Sequence, residues 1–230
     1  MRTQQNGYAD TTGAGLAVIR RNGALVRTPP LMERPPDRVD VDETLLYAQV
    51  SADTRTSVFD DPRQWFEDHS QYLDNTGWEY VKGGSNWDTP KGVLAVDGII
   101  RERFAAIPAS TPQMRSLVDR ALTRLRRAEA DGVSAAAGLG TNGRHSGRGC
   151  FYLVHVDYEP KGPLFHMVNF WYDTQEHVTN ALFHRVEHVT LLSTSYGIRR
   201  LDAREYDLQR ERVQRQLHEN AEQGVKELDL

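Results

Sequence analysis

Apolar and polar positions change period along this chain, and the changes mark out its elements. Residues 1–42 carry few large apolar side chains and mix Gly7, Gly13, Gly15 and Gly23 with Pro29, Pro30, Pro35 and Pro36. The prolines disfavour a regular helix there, and the segment reads as a Pro/Gly-rich arm. Within it, Leu16–Arg27 resembles a small hairpin turning at Asn22-Gly23, a pair suited to a type I′ turn. An arm of this kind packs on the domain, reaches a neighbouring subunit or stays mobile.

Helical spacing begins at Thr44–Ser51 with Leu45, Leu46 and Val50. The next helix has clear punctuation. Asp61 is a good N-cap, Pro62 suits the first helical position, and Gly77 follows the last apolar residue, Leu73. Its inward face is Trp65, Phe66, His69, Tyr72 and Leu73. Trp78–Val81 then reads as a short strand, followed by a loop with Gly83, Gly84 and Pro90. Two amphipathic helices come next. Val96, Ile99, Ile100, Phe104 and Ile107 mark one, and Met114, Leu117, Val118, Leu122 and Leu125 the other, capped by Thr111-Pro112.

A Gly/Ala-rich loop over 132–149 precedes a change of period. Tyr152, Val154, Val156 and Tyr158 alternate, and 164–172 is aromatic and β-branched. The stretch from about Leu182 to Leu201 favours strand over helix. From Ala203 a charged helix carries Val213, Leu217, Ala221 and Leu228 as one stripe. The expected fold class is therefore α+β: an antiparallel meander, about four strands, packed against several amphipathic helices around a single core. Its parts are the arm 1–42 and one domain, 43–230, helical over 43–131, β-rich over 150–202 and helical again over 203–228.

Composition adds bounds. The 230 residues carry a net charge of −4, which argues against a general nucleic-acid binder. Cys150 is the one cysteine, so no intramolecular disulfide or thiolate-rich metal site can form. Residues 1–10 show no apolar signal region, and no apolar run approaches the ~20 residues of a membrane-spanning helix. A cytoplasmic location, or release without a cleaved signal peptide, is expected. Basic residues are nearly all arginine, a coding bias that suggests a GC-rich bacterial genome.

Candidate chemistry is sparse. His184-Arg185-Val186-Glu187-His188 matches H-x-x-E-H, a zinc-peptidase signature in which the histidines ligate the metal and the glutamate activates its water. It works only on a helix, where positions four apart share a face. On a strand they stand ~13 Å apart, too far for one zinc with ~2.0–2.1 Å bonds. The flanking Val/Thr/Leu/Ser pattern favours the strand. A third ligand would have to come from Glu205, Glu211, Glu219, Glu222 or Glu227, with nothing in the spacing to select one.

Adjacent antiparallel strands could place His155 opposite His166, with Asp157 and Glu159 nearby in sequence. Cross-strand partners ~4.5–5.5 Å apart permit a shared metal or a pH-sensitive pair. The glycine-rich run Gly138–Gly149 lacks phosphate-loop spacing, although Arg144, His145 and Arg148 could touch an anionic partner. Cys150 reads as a structural cysteine. Ser193 and Ser195 lack a nucleophile elbow. Asp60, Asp61, Glu67 and Asp68 read as caps and dipole partners.

The segment Asp61-Pro62-Arg63-Gln64-Trp65-Phe66, leading to Gly77-Trp78, two amphipathic helices, a β-meander and a C-terminal helix ending Glu227-Leu-Asp-Leu230, resembles a bacterial α+β family with no assigned activity. The resemblance covers about 43–230. It implies a fold, favours the strand reading of 184–188, and carries no catalytic residues.

The leading functional expectation is a non-enzymatic bacterial structural or interaction protein that self-associates through the arm and the sheet, or binds another protein, without a cofactor and without nucleic acid. A membrane-active, cytolysin-like protein is the alternative, since 163–173 and 182–201 are long enough for membrane strands of ~9–11 residues. A one-sided antiparallel sheet shows the same alternation. The third reading is a zinc-dependent hydrolase using His184, Glu187 and His188.

Overall fold

The computed structural model describes residues 15–19, 25–27, 38–58, 60–88, 93–107, 110–130, 148–175, 185–219 and 226–227. Its centre is an antiparallel sheet of five strands. In spatial order these are β3 (Trp78–Asp88), β8 (Val189–Leu201), β6 (Gly162–Thr174), β5 (Arg148–Glu159) and β1 (Gly15–Ile19), extended by short β2 (Leu25–Arg27) and β9 (Lys226–Glu227). A separate two-stranded ribbon joins β4 (Leu94–Ala95) to β7 (Arg185–Val186). The helices are α1 (Arg38–Asp53), α2 (Pro62–Asp74), α3 (Val96–Ala106), α4 (Pro112–Ala130) and α5 (Ala203–Glu219). The chain is an α+β protein with an antiparallel meander, β5–β6–β8, as its middle.

Local chemistry fixes the element ends. The Asp61 carboxylate accepts the Gln64 N–H at 3.0 Å, and Pro62 occupies the start of α2. Thr111 Oγ1 accepts the Met114 N–H at 3.0 Å and opens α4. Each side chain satisfies a backbone donor that has no partner within its helix. Gly77, at φ +87°, lets the chain turn from α2 into β3 where a Cβ would press on the Asp202 carbonyl and the Tyr206 amide. Gly162, at φ +111°, closes the two-residue connection Pro160-Lys161 between β5 and β6.

The helices divide between the two sheet faces. Tyr152, Val154, Val156, Phe165, Met167 and Leu201 pack with Trp78 and with α1, α2 and α5 in one buried cluster. Among the described residues, none of α3 or α4 belongs to that cluster. Leu153, Val168, Phe170 and Tyr172 point to the opposite face by strand alternation and are equally buried. There α3 meets β6 and α4 meets β1. Coverage on both faces explains why β6 is buried along nearly its whole length. An ion-pair network ties α3 to α4: Asp97 accepts from Arg101 and from Arg126 at 2.7 Å each, and Arg101 reaches Asp119 at 2.8 Å.

The structure extends several expectations. β3 runs seven residues beyond Val81, through the glycines expected to form a loop. α1 begins at Arg38, inside the segment assigned to the arm. The arm's hairpin strands pair with each other and with β5 of the same chain, Leu16 opposite His155 and Ile19 opposite Tyr152. Its turn, and the loop 132–147, lie outside the described residues.

Candidate functional site: a bridged histidine pair and an open sheet edge

The described part of the H-x-x-E-H run, Arg185–His188, is not helical. Arg185 and Val186 pair with Ala95 and Leu94 in β7. His188 has φ 51°, and Val189 begins β8. The exposed Glu187 and His188 sit in the connection between them, pinned by Thr174 Oγ1, which donates to the Glu187 carbonyl at 2.9 Å. The helical turn that would bring positions four apart to one metal is not formed across Arg185–His188. His184, Arg144 and His145 lie outside the described residues. Arg148 starts β5 opposite Asp173.

His155 and His166 do face each other across β5 and β6, with ring centroids 6.0 Å apart. Both are buried. Asp157, on the same face of β5, bridges them. Its Oδ1 lies 3.0 Å from His155 Nε2 and its Oδ2 lies 3.3 Å from His166 Nε2. Burial would push the Asp157 carboxyl up, but hydrogen bonds and charge from the two imidazoles outweigh it. They hold it well below the usual carboxylate range. Both Nδ1 atoms are buried without a hydrogen-bond partner. Among the described residues, no group of three His, Cys, Asp or Glu side chains has an arrangement that could hold a metal ion.

On the other face a buried arginine organises the packing. Arg199 donates to the Asp74 carboxylate, to Ser70 Oγ and, at 3.1 Å, to the Trp78 carbonyl. Its guanidinium lies 5.5 Å from the Tyr80 ring centroid. Thus β8 is fastened to α2 and β3 by one side chain. Nearby, His69 stacks on Trp65 at 5.0 Å and meets Tyr152 edge-on at 4.9 Å. Burial, reinforced by Arg199, lowers the His69 pKa to about 3, so the ring is neutral at ordinary pH. Burial also holds the Tyr152 phenol far above its ordinary value, against the opposing pull of Arg199.

The third feature is the outer edge of β3. Among the described residues β3 has one strand neighbour, β8. Residues 79–82 are all exposed, with Tyr80 at 60% and Val81 at 55%. The register slips between Tyr80 and Lys82, so Val81 is a bulge residue. The Tyr80 ring lies along the strand over Gly83, where a Cβ would come within 2.8 Å of its hydroxyl. At the start of β3, Trp78–Tyr80 line a shallow cleft with Glu205 and Gln209 of α5. Leu208, one helical turn from Glu205, is 76% exposed. Sequence reading missed this edge because glycines ended the strand at Val81. It missed Arg199 because a charged residue in a strand is usually a surface residue. Alternation with Leu201 was the signal that it faces inward.

The fold defines the chain as an α/β/α layered α+β protein. No family model matches it, and no curated protein does. Two solved structures share a coarse likeness. A structure of the Evf virulence factor gives a TM-score of 0.38 at 11% identity, over 86% of this chain and 81% of that one. A delta-endotoxin gives 0.38 and 11%, over 87% and 89%. Likeness at this level says nothing about what this chain does. Among the described residues no helix is long and apolar enough to cross a membrane.

Proposed function

We propose that this chain is a non-enzymatic bacterial structural or interaction protein that associates with itself through its sheet. The observation that carries this reading is the exposed outer edge of β3, with two large apolar side chains side by side. An edge strand is a template for a second chain. Single exposed apolar residues are ordinary on a protein surface, but adjacent ones on a sheet edge mark a contact. Among the described residues, β1 of the arm is engaged with β5 and β2 with β1 and β9 of the same chain, and since β9 at the far end of the sheet has 2 residues, β3 is the long edge. Light scattering coupled to size exclusion, over a range of loading concentrations, tests it. The expected mass rises from one chain to two. A single-chain mass at every concentration overturns the reading.

A second reading, a membrane-active protein that inserts strands after a conformational change, has one specific support. β5, β6 and β8 have 12, 13 and 13 residues, beyond the ~9–11 that a membrane strand needs. The layer over one of their faces, α3 and α4, is tied together by the ion pairs of Asp97, Arg101, Asp119 and Arg126 beside its buried apolar side chains. Release of dye from anionic liposomes would support it, and liposomes that stay intact across pH and lipid composition would exclude it.

A further inference from the structure

The run Glu79-Tyr80-Val81-Lys82 reads acid, apolar, apolar, base. Laid antiparallel on a second copy of itself, it is self-complementary: Glu79 meets Lys82, and Tyr80 meets Val81, each pair occurring twice about a two-fold axis. Geometry permits this. Glu79 stands opposite Arg200 and Lys82 opposite Ile198. Residues 198 and 200 share a face of β8, so Glu79 and Lys82 share a face of β3 despite the bulge between them. Neither makes an ion pair with another described residue. The bulge interrupts the regular backbone ladder at this point, so side chains supply most of the contact.

We propose that this four-residue edge is the self-association contact, and that its occupant is the same edge of a second copy of this chain. The inference rests on the self-association reading and gives it a register. A two-fold axis perpendicular to the sheet keeps equivalent faces on the same side. Both copies of α5 then flank the seam, each through Glu205 and Gln209, which border Glu79 and Tyr80. Other antiparallel registers over residues 79–85 lose the match. Centring on Lys82 opposes two lysines, and centring on Gly83-Gly84 pairs Lys82 with Ser85. Only an axis between Tyr80 and Val81 pairs both charges with their opposites within these residues.

The test is a charge swap in the full chain. Glu79→Lys places two lysines opposite each other on both sides of the axis, and Lys82→Glu does the same with carboxylates. Each single variant is expected to weaken the dimer about tenfold or more, from two attractive pairs replaced by two repulsive ones. The double variant Glu79→Lys/Lys82→Glu is expected to restore it to about the parent value. All four residues are exposed, so melting temperatures confirm that the variants fold. A parent protein that dimerises equally well with either single reversal overturns the register while leaving self-association standing. A parent that stays monomeric overturns both. A double variant no better than the singles also overturns the register.

Discussion

His69 makes the protein's stability depend on pH in a range where exposed carboxylates have finished titrating. The ring is enclosed between Trp65 and Tyr152, and its pKa is lowered from 6.5 to about 3, first by burial and then by Arg199. The unfolded chain therefore binds a proton that the folded chain refuses between these two values. Stability is fully present above the unfolded value, near 6.5, and is lost progressively as pH falls toward the folded one. At pH 5 the unfolded histidine is mostly protonated and the folded one is not. Linkage then gives a loss of about 2 kcal/mol between pH 7 and pH 5 from this residue. Urea unfolding at both pH values measures it in the parent and in His69→Phe, a neutral aromatic of similar shape. The variant is expected to lose less than about 1.5 kcal/mol at pH 7 from imperfect repacking. Its stability difference between pH 7 and pH 5 should be smaller than the parent's by about 2 kcal/mol. An equal difference in both proteins would refute the assignment of a buried, neutral His69.

Three further outcomes are expected. Asp157→Asn should flatten the acid limb of the stability curve. The depressed Asp157 pKa gives stability that is fully present above the ordinary carboxylate range and disappears as pH falls through the folded value, so the parent and variant curves should stay apart above about pH 4 and begin to converge only below it. Gly162→Ala forces a side chain into φ +111° and against the Leu201 carbonyl; a loss of about 2–3 kcal/mol is expected, read as a drop in melting temperature of about 5–10 °C. Asp61→Ala removes the α2 cap and should cost about 1 kcal/mol, with Asp61→Asn retaining most of it; equal losses in both variants would show that the cap hydrogen bond is not what matters.

The parts of the fold legible from sequence are those with local causes. Asp61, Pro62 and Thr111 make their contacts within one turn, so the starts of α2 and α4 could be read directly. The juxtaposition of His155 and His166 followed from two long strands separated by a short glycine-containing turn. That Asp157 bridges them is a cross-strand fact, visible once both imidazoles occupy its face. β3 was truncated because Gly83 and Gly84 signal a loop. They are strand residues here because the rings of Tyr80 and Tyr196 lie where side chains would otherwise stand. Arg199 reads locally as a surface charge; its partners, Asp74 and Trp78, are over a hundred residues away in sequence. The start of α1 at Arg38 was hidden by the prolines just before it, each of which restricts itself and the residue ahead of it and leaves the following chain free to be helical.

The strand order also sets a timetable. Among the described strands β3 pairs with β8 alone, Trp78 against Leu201, and one side of β1 waits for β5. A ribosome delivers α1 through α4 before β5 or β8 exists, when β1 has its hairpin partner β2 and β3 has no partner among the described strands. The β5-facing side of β1 and both sides of β3 stay without partners over that interval, and the middle of the sheet closes only when β8 arrives. Such long-range closure is slow compared with helix formation. The edge proposed to join two copies thus belongs to a strand that waits without its sheet partner while residues 89–188 are made, and over that interval a neighbouring nascent chain is a competitor for it.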